Sequence, residues 1–537
     1  MKKNSNTSMS LMVIALLLIQ QALSLYTPAQ TASSAEDEEE EITQPARLSD
    51  EITLRASDRS TSWLTLADGR KLLTSYIGPE QAVRAMEQNQ ARPLSLAWYG
   101  SDYSGEGNLV CGYASPAGGG IIALHRSNSD ATAHASNAEG SAPFVDYARL
   151  FDLPEPAEFL AVGDFNADGR KDLVAASSTG EALYLMRGGR HGGLGSPTRI
   201  DLRGRVTAMV AGEINRADGL TELAVAVVGK EPQLLIYEGP EGALSREPEV
   251  LALPHPGKSM AIGSLDSSYE YDLAVAAGNE LLIVHGRDRK LSMDSETQAQ
   301  VKRAAISREY FPFTLAAVAA GEFIRGGHKT DLAVLSENGR VQYLRRGDGS
   351  ERGEWQMMTE VSLRQMERAI SSPSSLSMVK ANLSALETDD LMLIGGAGNQ
   401  MQIMSGGPGT KVARHTATSL QTDGRVVAAM PFRSNGVQPG GWAVLTSSQS
   451  APSLALSPTA TTINVTTNAD SGPGSLREAI NQANSTPGSE PVSVVINFDR
   501  DTTIKLQSAL PTITREKVSI SNDSLDNNKV VLEGDRA

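Results

Sequence analysis

The chain has 537 residues, with 48 Lys or Arg against 63 Asp or Glu, which gives a formal charge of −15. Such an acidic balance argues against a nucleic-acid partner and against anionic membrane surfaces. The one cysteine, Cys111, rules out an internal disulfide, so the fold must rest on packed side chains, and the length allows two domains or more. Because Cys111 lies in an apolar stretch, we expect a buried residue and not a reactive thiol.

The first 35 residues carry the pattern of a secretory signal peptide. Lys2 and Lys3 precede an apolar run over 11–19, and small residues follow up to Ala35. The apolar run is too short to span a bilayer, and no later stretch reaches the necessary length. We therefore predict a secreted or cell-surface protein whose mature chain has no transmembrane segment.

A strongly acidic segment follows the predicted signal peptide. Residues 36–56 begin EDEEEEITQ, and a run of like charge stays extended and solvated, so this range is predicted to be a disordered spacer. Residues 57–92 read as a lead-in, with a strand-like piece over 62–76 that turns at Asp68 and Gly69. A helix is predicted from Pro79 to Gln90. We expect the strand to pair with the last unit of the array that comes next.

Residues 93–457 consist of imperfect repeats. Each copy has an apolar strand, a loop, a second and a third apolar strand, and a variable fourth strand. The copies align on the residue after the last acid of the loop, at Leu109, Leu173, Leu223, Leu273, Leu332, Leu391 and Trp442. Repeats of about 50 to 60 residues with this strand pattern are typical of β-propeller blades. The sequence thus predicts an all-β fold with a seven-bladed β-propeller.

The loop of the second copy has the pattern of a calcium site. In GDFNADGRKDL, Asp164, Asn166, Asp168 and Asp172 place four oxygen-bearing side chains around the bend at Gly169. Hard oxygen ligands at this spacing suit Ca²⁺. An EF-hand would close with Glu at the twelfth position, where this chain has Ala175, so the loop is of another kind.

GDFNADGRKDL resembles the FG-GAP or VCBS repeat of integrin α-chain propellers and of many bacterial secreted proteins. The resemblance implies Ca²⁺ held between the first two strands of a blade, with the backbone carbonyl of Arg170 as a further ligand. Such an ion would stabilise the loop and is not evidence of catalysis. Weaker candidate ligands lie in the first copy and the fourth copy, namely Asp102, Ser104, Asn108, Asp266, Ser268 and Asp272. The other four loops, with insertions or lost acids, are expected to bind nothing.

A new domain is predicted after a linker over 458–462. Ser475 and Glu478 form a capping box, and Leu476, Ala479 and Ile480 give the following helix an apolar face that Ala483 extends. Short β-rich strands follow without a crossover helix. The stretch 463–537 resembles the CSLREA-type start of right-handed parallel β-helices, with Gly474 in place of the family's cysteine. The resemblance implies a helix that caps the first coils, and so short a stretch predicts a truncated solenoid.

Two functions remain open from the sequence. The first is a non-catalytic interaction or adhesion protein, whose calcium-stabilised propeller contacts an extracellular protein or glycan. The second is an extracellular polysaccharide-degrading enzyme whose catalytic coils lie beyond this chain, and no catalytic residue is predicted within it. Asp499, Arg500 and Asp501 read as solvated turn residues. Arg346, Gly347 and Asp348 spell the integrin-ligand tripeptide but are expected to form a turn.

Overall fold

The computed structural model describes residues 44–56, 68–100, 107–128, 141–189, 193–324, 330–347, 354–362, 376–383, 388–395, 398–406, 415–434, 438–456, 461–487, 492–496, 498, 500–515, 518–522 and 529–534. Over these residues the fold is all-β, with propeller-like antiparallel sheets. The predicted signal peptide over 1–35 lies outside the described residues. Within them, no helix is both long enough and apolar enough to cross a membrane.

The N-terminal part of the described chain contains three strands and a helix: β1 (Pro45–Ala56), β2 (Gly69–Leu73), β3 (Ser75–Ile77) and α1 (Glu80–Glu87). The prediction of a disordered spacer over 36–56 is therefore wrong for its second half. The acidic run ends at Glu41, and from Pro45 onward apolar residues such as Leu54 recur and are buried.

The repeats form runs of antiparallel strands that pair in chain order. The first four runs are β4 (Arg92–Gly100), β5 (Gly107–Ala114), β6 (Gly120–Ser127) and β7 (Ser141–Leu153); β8 (Phe159–Gly163), β9 (Asp172–Ala176), β10 (Ala182–Met186) and β11 (Thr198–Asp201); β12 (Arg205–Gly212), β13 (Glu222–Val228), β14 (Pro232–Tyr237) and β15 (Glu249–Ala252); and β16 (Gly257–Gly263), β17 (Asp272–Ala277), β18 (Glu280–Val284) and β19 (Ile306–Tyr310).

The later runs have the same order. They are β20 (Leu315–Gly321), β21 (Asp331–Ser336), β22 (Arg340–Arg346) and β23 (Trp355–Ser362); β24 (Ser377–Ala381), β25 (Asp390–Ile394), β26 (Gln400–Gly406) and β27 (His415–Thr422); and β28 (Val426–Ser434), β29 (Gln438–Thr446) and β30 (Ser453–Leu456). A short helix α2 (Ser295–Ala299) and a 3-10 turn (Ala243–Ser245) lie in the connections.

The second strands are buried along most of their length because neighbouring sheets cover both of their faces. In β9 and β17 every residue is buried, which matches the continuous apolar runs that predicted them. The first strands contact one another in chain order, β4 with β8, β8 with β12, β12 with β16, β16 with β20, β20 with β24 and β24 with β28. β28 also contacts β4.

The two ends of the repeat array meet. β2 pairs with β30 through Arg70↔Leu454 and Lys71↔Ser453, which confirms the expected pairing of the lead-in strand with the last repeat. Trp98 of β4 stacks on Phe432 of β28, with ring centroids 5.8 Å apart. Hydrogen bonds between strands and burial of aromatic area therefore join the first run of strands to the last.

The C-terminal part contains a helix and parallel strands. Helix α3 (Leu476–Ser485) begins after Ser475, whose hydroxyl accepts the Glu478 amide at 3.2 Å, and its predicted apolar face is buried. The strands are β31 (Thr461–Val465), β32 (Val492–Ile496), β33 (Thr502–Leu506), β34 (Val518–Asn522) and β35 (Val530–Gly534). β31, β32 and β34 form one parallel sheet, and β33 and β35 form a second.

Candidate metal-binding loops

Loop 164–172 connects β8 to β9 and is fastened by the acid at its end. Asp172 is fully buried, and its Oδ2 accepts the Phe165 amide at 3.2 Å. Its Oδ1 accepts the Gly188 amide at 2.7 Å, so the same side chain also fixes the turn after β10. Two charge-assisted hydrogen bonds offset part of the cost of burying this carboxylate.

The other predicted ligands of this loop shape its bend. Asp164 accepts the amides of Asp168 at 3.1 Å and of Gly169 at 2.7 Å, while Asn166 accepts the Asp168 amide at 3.0 Å. Asp168 in turn accepts the Arg170 amide at 2.9 Å. Gly169 adopts φ +80°, a conformation that suits glycine. Short polar side chains thus fold the loop around its own backbone amides.

The negative charge in loop 164–172 has little basic compensation. Burial raises the pKa of Asp172 above its ordinary value, the two backbone amides oppose that rise, and the charges of Asp168 and Asp164 add to it. Arg170 lies 3.9 Å from Asp168 with both side chains well exposed, and Arg187, which follows β10, is exposed. Three carboxylates and an amide oxygen are a donor set that fits a hard divalent cation such as Ca²⁺.

The buried acid of this loop recurs at the first residue of four later second strands. We call Asp172, Glu222, Asp272, Asp331 and Asp390 the anchor acids; each is at most 3% exposed. Each accepts a hydrogen bond from a backbone amide at the start of its loop. The amide donors are Ile214 for Glu222 at 2.8 Å, Leu265 for Asp272 at 2.9 Å, Ile324 for Asp331 at 2.9 Å and Leu383 for Asp390 at 2.7 Å. The position therefore has a structural role that is independent of any ion.

In the first repeat the corresponding position holds a neutral residue. The side-chain oxygen of Asn108, the first residue after Gly107 in β5, accepts the Ser127 amide at 2.8 Å. Asn108 thus fastens the end of β6, much as Asp172 fastens the turn after β10. The companion candidates Asp102 and Ser104 lie outside the described residues.

Two loops that the sequence predicted to bind nothing compensate their anchor acids differently. Arg345 of β22 places Nε 2.7 Å from Asp331 Oδ1, so the sheet supplies its own cation. Glu222 has no basic partner among the residues that the structure describes; burial raises its pKa to about 9, and the charges of Glu238, Glu213 and Asp218 add to the rise. Glu222 therefore keeps its proton at neutral pH in the folded protein.

At the fourth loop, a histidine that the sequence did not predict as a ligand lies beside two acids. Among the acids and histidines that the structure describes, Asp266, Asp272 and His285 form a group whose ligand atoms all lie within 4.8 Å of one another. Asp164, Asp168 and Asp172 are not drawn together to that extent. The distance along the chain from the anchor acid could have indicated this histidine. His285 follows β18, 13 residues after Asp272, and Arg345 lies near the end of β22, 14 residues after Asp331.

Two further residues singled out in the sequence are inaccessible. Arg346 is 4% exposed and donates to the Leu265 carbonyl at 2.8 Å, and Gly347 pairs with the Glu354 carbonyl, while Asp348 lies outside the described residues. The arginine of the tripeptide is thus unavailable to a partner. Cys111 is fully buried, as expected, and burial raises the pKa of its thiol to about 12.

Comparisons with known proteins give structural neighbours only. No family model matches the chain, and no curated protein matches it. A crystal structure of BBS1N in complex with ARL6DN, soaked with lead, aligns at a TM-score of 0.40 and 13% identity, over 66% of this chain and 89% of that chain. The same complex soaked with mercury aligns at 0.40 and 13%, over 68% of this chain and 98% of that chain.

Proposed function

We propose that this protein is a non-catalytic, exported interaction protein whose seven-bladed β-propeller displays loops to an extracellular protein or glycan. One observation carries the proposal: five sheets in succession fasten the loop between their first two strands on a buried anchor acid. Loops held in this way present their exposed residues on a fixed backbone, and preorganisation lowers the entropy cost of binding.

The contacts among the first strands support a closed ring of seven blades. β28 contacts β4 as the other first strands contact their successors, and β2 supplies an outer strand to β28–β30. Closure of this kind protects the edge strands of the first and last blades. A rigid ring is a suitable frame for a binding surface made of loops.

Calcium at loop 164–172 would stabilise one of these loops. The side chains of Asp164, Asn166, Asp168 and Asp172 would hold the ion together with the carbonyl of Arg170, and the ion would neutralise the crowded carboxylates. Binding would draw the acids closer than they now lie. The role is structural, because Asp172 already serves the backbone of its own sheet.

The exposed tips of neighbouring loops provide a candidate contact surface. Residues 167–170 and 216–219 are exposed, and Tyr269 is 99% exposed on the next loop. Tyrosine is a residue type that interfaces favour, and this one is fully exposed. We assign Tyr269 as a contact residue of the proposed surface.

The parallel strands at the C-terminal end support the proposed start of a β-helix. β31, β32 and β34 stack in register, as Val492↔Val518 shows, and β33 stacks on β35. Ile463, Val494, Ile480 and Ile504 pack in a common core with α3. In the proposed protein this part is the start of a repeat module.

The experiment is a binding array of matrix proteins and glycans, probed with the full chain in Ca²⁺ and in chelator. The proposal expects a ligand that binds the wild type, with Tyr269→Ala weakening binding about tenfold or more. Tyr310→Ala is the matched control, since Tyr310 is also exposed but lies on the outer strand β19. Equal losses in the two variants, or cleavage of a polysaccharide on the array, would contradict the proposal.

A further inference from the structure

The cluster of Asp266, Asp272 and His285 has the geometry of a metal site. His285 Nδ1 lies 2.8 Å from Asp266 Oδ2 and 3.8 Å from Asp272 Oδ1. An ion with bonds of about 2.1 Å in tetrahedral coordination holds its ligands about 3.4 Å apart. The two observed separations bracket that value, so small side-chain rotations would admit the ion.

The cluster is buried and its three members come from different places in the sheet. Asp266 lies in the loop before β17, Asp272 opens β17, and His285 follows β18. The side chains are 8%, 0% and 7% exposed, respectively. A site preorganised on two strands and a fastened loop costs little to assemble when a ligand enters.

The second ring nitrogen of His285 has a partner of the kind that metal-bound histidines use. Nε2 lies 2.7 Å from the Ser307 hydroxyl of β19. When Nε2–H donates to this oxygen, the lone pair of Nδ1 faces the two carboxylates. Such a hydrogen bond fixes the tautomer and the ring orientation of a metal-bound imidazole. Without an ion, a proton lies between Nδ1 and Asp266 and makes the hydrogen bond that joins them.

Ser268 offers a fourth polar atom at the cluster. Its hydroxyl oxygen is buried and makes no hydrogen bond in the described part of the chain. The backbone amide of Ser268 donates to Asp266 Oδ1 at 2.7 Å, which places this residue beside the cluster. Its hydroxyl is placed to contact a metal-bound water.

The charge of the cluster also suits a divalent ion. Two carboxylates and a neutral imidazole carry a charge of −2. Arg346 approaches the same loop from the next sheet, but its guanidinium donates to the Leu265 carbonyl. A divalent ion would neutralise the charge of the two carboxylates.

We propose that Asp266, Asp272 and His285 bind a divalent transition-metal ion of the Zn²⁺ class, with Ser268 contacting the ion's remaining water ligand. Imidazole nitrogen suits Zn²⁺, Co²⁺ and Ni²⁺, whereas Ca²⁺ takes six to eight oxygen ligands, which the loop does not supply. The assignment replaces the oxygen-only calcium site expected here from the sequence. It is independent of the proposed calcium at loop 164–172.

The test is a titration of the metal-free full chain with Zn²⁺ in the presence of excess Ca²⁺, monitored by calorimetry. Titration with Co²⁺ then reports coordination by its visible absorption. We expect one tight equivalent of Zn²⁺ and an intense Co²⁺ band of a tetrahedral site. His285→Gln should weaken the affinity by about 100-fold or more, and Ser307→Ala by about tenfold. His255→Gln, at an exposed histidine of the same sheet region, is the matched control and should leave both unchanged.

Several results would overturn the site. One is the absence of a stoichiometric Zn²⁺ equivalent in the wild type, and this result does not depend on any variant being folded. Another is a His285→Gln protein with wild-type circular dichroism and unchanged Zn²⁺ affinity. Displacement of the ion by Ca²⁺ alone would assign the cluster to calcium and would equally refute the proposal.

Discussion

Arg345 lies with its Nε 2.7 Å from Oδ1 of Asp331, so a carboxylate with a side chain only 1% exposed is neutralised from within its own sheet. At the same position elsewhere Glu222 retains a proton, and at Asp272 we propose that a divalent ion neutralises the carboxylate. At Asp172 we propose an external calcium ion. The anchor acids thus share one structural role, which is to accept a backbone amide of the loop. The neighbouring groups determine what balances the negative charge of each acid.

Removal of Arg345 should destabilise the protein through the charge left behind. Arg345→Met leaves Asp331 ionised and buried, and loss of one partner of a buried pair costs about 3 kcal/mol. The double variant with Asp331→Asn should recover most of that loss, because no unpaired charge remains. Urea unfolding of the wild type, both single variants and the double variant measures this. Additive effects in the double variant would contradict the pairing.

Glu222 should make stability fall as the pH rises. The unfolded chain ionises near pH 4.5, whereas the folded protein keeps the proton up to about 9. Between these values the unfolded state binds fewer protons, so the free energy of unfolding decreases, by at most about 1.4 kcal/mol per pH unit.

Glu222→Gln removes this dependence and keeps an oxygen for the Ile214 amide. The variant should be more stable than the wild type at pH 8 and nearly equal to it at pH 4.5, as judged by thermal melts across that range. Glu231→Gln, at an exposed position between β13 and β14, is the control and should show no such trend. Parallel stability curves for Glu222→Gln and the wild type would show that Glu222 is ionised in the fold.

His125 should give a dependence of the opposite sign. It is fully buried, both ring nitrogens make no hydrogen bond among the described residues, and burial lowers the pKa to about 4. As the pH falls from 6.5 to 4, the unfolded chain takes up a proton that the folded chain refuses, so stability is lost. His125→Leu should be more stable than the wild type, by a margin that grows over this window in thermal melts. A constant margin would show that the imidazole is protonated in the folded state.

The bend of loop 164–172 should respond in opposite directions to substitutions at two positions, Ala167 and Gly169. Ala167 has φ +56° and Gly169 has φ +80°, with open space at the latter for a side chain. Ala167→Gly relieves backbone strain and should stabilise by about 0.5–1 kcal/mol, whereas Gly169→Ala should cost about 1–2 kcal/mol. Chemical unfolding in chelator measures both. The same sign for both variants would contradict the loop geometry.

The sequence predicted the strands of the repeats well because second strands such as β9 and β17 continue as uninterrupted apolar runs after their first residue, as burial on both faces requires. It also located the anchor acids. It missed β1, since the acidic run before Pro45 masked the apolar positions that follow. The histidines, His285 among them, show no paired metal-ligand spacing in the sequence and read as surface or strand residues. The contacts of His285 and Arg345 with acids of their own sheets are made across paired strands, which spacing within one loop does not reveal.

The most direct measurement of the central claim is the melting temperature of the full chain in Ca²⁺ and in chelator. At about 100 times the dissociation constant, a bound ion adds about 2.7 kcal/mol, so the wild type should melt at least a few degrees higher in Ca²⁺. Asp168→Ala should abolish the difference. Asp218→Ala, which removes the acid that accepts the Leu220 amide at the equivalent bend, should preserve it. Identical melting curves of the wild type in Ca²⁺ and in chelator would contradict a calcium ion at Asp164, Asp168 and Asp172.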